Sequence, residues 1–135
     1  MYEYSFEKLQ VWQKSKELAK TIYRITKSFP VSEQFNLISQ MQRASISIVS
    51  NLAEGTSRSS YKDKARFSEI SYGSLMELLA QLIISYELNY LSENDYLSTR
   101  SLMEDLGKSL TNLKNQQLNM VKEDDLPYSS PPINP

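Results

Sequence analysis

Lys16, Lys20, Arg24 and Lys27 recur at spacings of four, four and three residues. At 100° per residue they fall within about 80° of one another on a helix, as a continuous basic stripe. Such a stripe is either a solvated face or a row of phosphate contacts. Arg58, in the polar run Thr56–Ser60, is a further cation placed to touch a ligand. Beyond these, little chemistry can be assembled. The chain has no Cys and no His, which removes disulfides, thiolate and imidazole metal ligands, and the Ser–His and Cys–His nucleophile pairs. An all-carboxylate metal site would need Glu54, Glu77 and Glu104 or Asp105 to converge, and nothing in their spacing forces this. The Glu-x-x-His pattern of di-metal bundles is missing. Ser59-x-x-Lys62 matches a serine–lysine acylation motif without its SDN and KTG companions. No phosphate-binding glycine loop occurs. The expectation is a protein that is not an enzyme and uses no metal or cofactor.

The elements that position these residues are helices. Gly and Pro are scarce, at three and five residues, and four of the prolines lie in the last nine positions. A long middle with few breakers favours long helices over many short strands. The first is expected over about 6–28, with Val11, Leu18, Ile22, Ile25 and Phe29 on its core face and Pro30 ending it. The second is expected over 33–54, capped by Ser32, with Met41, Ala44, Ile48 and Leu52 inward. Beside that core face Gln40, Arg43, Ser47, Asn51 and Glu54 form a polar stripe, and Gly55 is read as the left-handed residue that stops the helix. Arg43 reads as one half of an interhelical ion pair or hydrogen-bond network, with Glu77 as partner, or as part of a ligand site. The third helix is expected over 61–90, apolar nearly all round from Leu75 to Tyr86, with Gly73 permitting close packing. The fourth is expected over 93–119, opened by the cap sequence Ser92-Glu93-Asn94-Asp95. Residues 121–135 are an acidic, Pro/Ser-rich tail expected to be disordered. Helices of this length joined by short turns predict an all-α, antiparallel up-and-down four-helix bundle over residues 1–120.

Charge adds one asymmetry. Residues 1–66 carry 11 Lys/Arg and 6 Asp/Glu, net +5, and residues 67–135 carry 4 and 10, net −6. The halves either neutralise each other or leave a basic face exposed. No apolar run approaches membrane-spanning length and no signal peptide is read, so a cytoplasmic protein without membrane contact is expected.

Three segments carry a family resemblance: FEKLQVWQKSKELAKTIYRITKSFP at 6–30, QMQRASISIVSNLAEGTSR at 40–58, and RFSEISYGSLMELLAQL at 66–82. They resemble the 23S ribosomal-RNA intervening-sequence proteins, also called four-helix bundle proteins, over about residues 5–118. Val11-Trp12, Arg43-Ala44, Asn51, Ala53-Glu54-Gly55, Arg58, Gly73-Ser74 and Glu77 fall in register. Gln42 departs from the pattern, which often has a second basic residue there, and the acidic tail lies outside it. The resemblance implies a four-helix bundle that assembles as a homopentamer, and an association with nucleic acid. Two functional expectations follow. One is a non-enzymatic homo-oligomer contacting RNA or DNA through Lys16, Lys20, Arg24, Lys27 and Arg58. The other is a protein–protein adaptor or scaffold for an unknown protein, with no nucleic acid bound.

Overall fold

The computed structural model describes residues 1–124. Four α-helices carry the architecture: α1 Gln10–Ile25, α2 Ser39–Thr56, α3 Tyr61–Glu87 and α4 Glu93–Asp124. Each packs on its neighbour in sequence, and α4 closes back on α1. The short connections between α2 and α3 and between α3 and α4 make these neighbours antiparallel, giving the expected up-and-down bundle. The tail expected to be disordered lies outside the described residues from 125 on. Its first four residues instead continue α4, which runs past the expected end at 119.

Apolar periodicity explains the core. Leu18 and Ile22 of α1, Met41 and Ile48 of α2, Leu75, Leu78 and Leu82 of α3, and Met103, Leu106 and Leu110 of α4 are all fully buried. Burying each such side chain contributes about 1.5–3 kcal/mol before entropy. Small hydroxyls let the helices approach. Ser71 donates to the Ile48 carbonyl at 3.1 Å, and Ser47 and Ser74 meet at 2.9 Å across α2 and α3.

Most helix ends differ from the sequence expectation. α1 begins at Gln10, because Ser5–Lys8 forms a separate 3-10 turn. The Glu7 carboxylate folds back to accept the Tyr4 amide at 2.8 Å, and extended Leu9 separates the turn from α1. At the other end, the α-helix stops at Ile25, Thr26–Ser28 tightens to a 3-10 turn, and Phe29 is extended. That follows from the clash between a proline ring and a helical residue before it.

α2 begins at Ser39 rather than Glu33. Val31–Glu33 is a 3-10 turn and Gln34–Ile38 a π-helical turn kinked at Phe35. The capping group is the Glu33 carboxylate, which accepts from the Leu37 amide at 3.4 Å and the Asn36 side chain at 3.1 Å. Ser32 does not fill that role. Gly55 is not a left-handed stop: it lies buried inside α2, and no described glycine has positive φ. Its value is space, since a Cβ there would lie 2.9 Å from Phe67 Cβ on α3. The left-handed residue is Asn89, φ 62°, which ends α3. The Asn89 amide donates to Tyr86 and the Tyr90 amide to Ser85, both at 2.9 Å, a Schellman closure. The expected cap of α4 does form, with Ser92 accepting from the Asp95 amide at 3.1 Å, and α3 is capped in the same way by Ser60, which accepts from the Asp63 amide at 3.1 Å.

Candidate nucleic-acid interface

α1 turns Val11, Ser15, Leu18, Ala19, Ile22 and Ile25 inward. With that face buried, the helical period places Lys16, Lys20, Arg24 and Lys27 together on the side that borders α2. All four line one groove of about 360 Å³, together with Ala19, Tyr23, Ile46 and Val49. No carboxylate lines it. Trp12 fixes the α1–α2 spacing beside the groove, donating its indole N–H to the Val49 carbonyl at 3.2 Å. Lys16 stands over the Trp12 ring, 5.4 Å from its centroid. Lys20 approaches Glu17 at 3.6 Å and Arg24 approaches Asp95 at 3.5 Å. Both pairs are solvent-exposed, and pairs of that kind are worth no more than about 1 kcal/mol and yield readily to a competing anion. Lys27 has no ion-pair partner among the described residues.

Arg58 does not join this constellation. It pairs with Glu54 one turn back and lies over the Phe67 ring, 4.6 Å from its centroid. Arg66 covers the same ring at 4.7 Å. Arg58 lies nine residues beyond Val49, at the far end of α2 from the groove. It stands apart from the groove, beside the α2–α3 turn, in a pair with Glu54 that is itself partly exposed. Lys64 donates to the Thr56 carbonyl at 3.0 Å.

The other motif residues gather on the far side of α2. Arg43 and Glu77 line a polar groove of about 420 Å³ with Gln40, Ala44 and Ser47. They form no ion pair with each other, and both are exposed. A hydrogen-bond network does exist there, without Arg43: Asn51 donates to the Ser47 carbonyl at 2.8 Å, and Ser47 meets Ser74. Gly73 is exposed with nothing within 4 Å of where its Cβ would be, so it mediates no close packing among the described residues. At Gly107 a Cβ would meet Leu75 at 3.6 Å and Tyr72 at 3.9 Å, which is ordinary van der Waals contact. Ile70, Gly73, Glu77, Ala80 and Ile84 fall within about 80° on the outer side of α3, all exposed.

Among the described residues no cluster of three or more carboxylates is placed to hold a metal. Glu54 is held by Arg58, and Asp105 by Lys14 at 3.0 Å. No described helix is long and apolar enough to cross a membrane.

The family model for 23S rRNA-intervening sequence proteins matches residues 7–112. The chain belongs to that family. A similar solved structure is that of a protein of unknown function from the S23 ribosomal protein family of Bacteroides thetaiotaomicron VPI-5482. It is 26% identical, superposes with a TM-score of 0.71, and the match covers 77% of this chain and 97% of that one. No curated protein matches the chain. For this 23S rRNA-intervening sequence protein the family and the fold are thus the same as those read from the Val11-Trp12, Arg43-Ala44 and Ala53-Glu54-Gly55 register. The matched span takes in α1 to α3 and most of α4, and so includes the basic groove and the outer α2–α3 face.

Proposed function

We propose that this chain is a non-enzymatic, self-associating helical bundle that contacts RNA or DNA through the α1 groove, acting in the cytoplasm. The observation that carries the reading is the gathering of Lys16, Lys20, Arg24 and Lys27 around one groove that no carboxylate lines. Phosphate contacts release counterions, so affinity falls steeply with salt. A gel-shift titration at low salt should show a complex that disappears as salt rises. Absence of any RNA or DNA shift at low salt overturns the nucleic-acid reading. Lys16→Glu combined with Lys27→Glu should abolish binding while leaving the melting temperature within a few degrees, since neither side chain is buried.

Self-association is supported by a different face. Ile70, Ala80 and Ile84 expose apolar area in line with open Gly73, beside unpaired Arg43 and Glu77. Exposed apolar side chains gathered on one helix face, here with Glu77 among them, are a feature of association surfaces. The family resemblance implies five copies. Light scattering should then give five times 15.6 kDa, about 78 kDa. A mass of 15.6 kDa overturns self-association, and shifts this same stripe to the second reading, an adaptor that docks a partner of different sequence.

A further inference from the structure

We infer that the α1 groove takes single-stranded rather than duplex nucleic acid, with the phosphate chain along Lys16, Lys20, Arg24 and Lys27 and a base stacked on Tyr23. This rests on the nucleic-acid reading above and names its substrate class. Four features of the groove support it. Lys16, Lys20 and Arg24 advance along the α1 axis by roughly 6 Å each and Lys27 follows on the 3-10 turn, a row roughly 16–18 Å long. That is a track for a flexible anionic chain of a few units. The rest of the lining is apolar, and Tyr23 is 42% exposed there with no hydrogen bond to its hydroxyl among the described residues. Ile46, also exposed, and Val49 sit beside it on α2.

A duplex can offer such a site only phosphates. Its bases are covered on both faces by their neighbours, so the apolar lining would stay unused. An unpaired strand presents both parts at once, an anionic chain and flat rings that stack on aromatic side chains. The site also separates this ligand from a lipid surface. Membrane-bound helices push bulky apolar groups outward beyond their basic residues. Here Ala19 is buried and Val49 half-buried, while the Lys20 and Arg24 side chains stand out at 70% and 60% exposure, and the exposed apolar groups are Ile46 and Tyr23 alone among the lining residues. The third alternative, an acidic peptide, would satisfy the cations and leave Tyr23 without a stacking partner.

Fluorescence anisotropy on the full chain tests this, using a labelled 12-nucleotide single strand, the same sequence as a blunt duplex, and phosphatidylserine vesicles as competitor. The single strand should bind more tightly than the duplex. Its log-affinity should fall with log salt at a slope of about −3, from four contacts at about 0.7 each. Tyr23→Ala should weaken the single strand by roughly 5- to 150-fold, the cost of losing one stacked base, and leave duplex affinity unchanged. Tyr23→Phe should restore it, because the ring face and not the hydroxyl carries the contact. Equal affinity for both forms with Tyr23→Ala indistinguishable from the parent overturns the single-strand inference and leaves the nucleic-acid reading standing. No binding of either form at low salt overturns both. Vesicles that displace the strand from the parent protein but not from Tyr23→Ala would assign the groove to lipid and also overturn the inference.

Discussion

Gly55 and Gly73 show how two residues of one type acquire different roles from their surroundings. A Cβ on Gly55 would have to share space with Phe67 Cβ, which is held by the α3 backbone. Gly55→Ala should therefore destabilise the protein by about 1–3 kcal/mol, read by urea unfolding, as overpacking a close contact does. Gly73 meets nothing among the described residues. Gly73→Ala should stabilise an isolated bundle by up to about 1 kcal/mol through helix propensity. A loss of oligomer mass in the same variant would place a neighbour's backbone on that glycine. Tyr90 gives a pH signature. Its hydroxyl donates to the Glu33 carboxylate at 3.0 Å, and that bond, with some desolvation and the carboxylate's charge, raises the tyrosine above its ordinary value of 10.0. A raised folded-state value means the contact contributes fully below pH 10 and is lost as pH climbs through the shifted value. Melting temperatures between pH 9 and 11 should therefore fall less steeply in Tyr90→Phe than in the parent.

At the scale of elements, the ends of the helices are set by local bonds that outcompete the general pattern. Asn89 in the left-handed region replaces the glycine that such a closure usually employs. Asn89→Ala should cost about 1 kcal/mol, because alanine pays the full Cβ penalty there, and Asn89→Gly should be tolerated. Thermal melts of the two variants check the ordering; equal melting temperatures would mean that the turn rearranges. The π-helical turn Gln34–Ile38 has a similar origin. Glu33 binds Asn36, Leu37 and Tyr90 together, so the chain enters α2 through a kink instead of a straight first turn. Glu33→Ala removes all three partners at once. It should lower the melting temperature by more than Tyr90→Phe, which removes one.

For the whole molecule, the charge asymmetry of the two halves is resolved on one side and not on the other. Where α1 meets α4, basic and acidic halves do pair: Lys14 with Asp105 at 3.0 Å, and Arg24 with Asp95 at 3.5 Å. Lys14 also donates to Ser109 at 2.9 Å. On the α2 side no carboxylate lines the groove, and Lys16 and Lys27 have no ion-pair partner among the described residues. Stability and binding should consequently part company in salt. Raising salt from 50 to 200 mM should leave the melting temperature nearly unchanged, because exposed pairs contribute less than about 1 kcal/mol each. The same change should weaken single-strand binding roughly 50-fold, from a fourfold salt rise at a slope of about −3. Parallel melting and anisotropy series measure both; a large melting shift would instead assign the basic residues to structural pairing.

The four helices, their core faces and the family were legible in the sequence because a 3.6-residue period and a handful of spaced motifs are local properties, repeated often enough to survive exceptions. Leu18, Ile22, Met41, Ile48, Leu106 and Leu110 are buried as that period requires. The basic stripe was legible for the same reason, as an angle on one helix. What stands across from a residue is not a local property, and there tertiary structure alone decided. It placed Ile46 and Val49 of α2 beside the α1 cations, making a groove out of a stripe. It turned Arg58 onto Phe67 and Glu54, far from that groove. It assigned Gly55 to a close helix contact instead of a left-handed turn, and left Arg43, Gly73 and Glu77 exposed without a partner among the described residues. Each of these depends on how α2 and α3 lie against their neighbours, a distance through space that sequence separation does not encode.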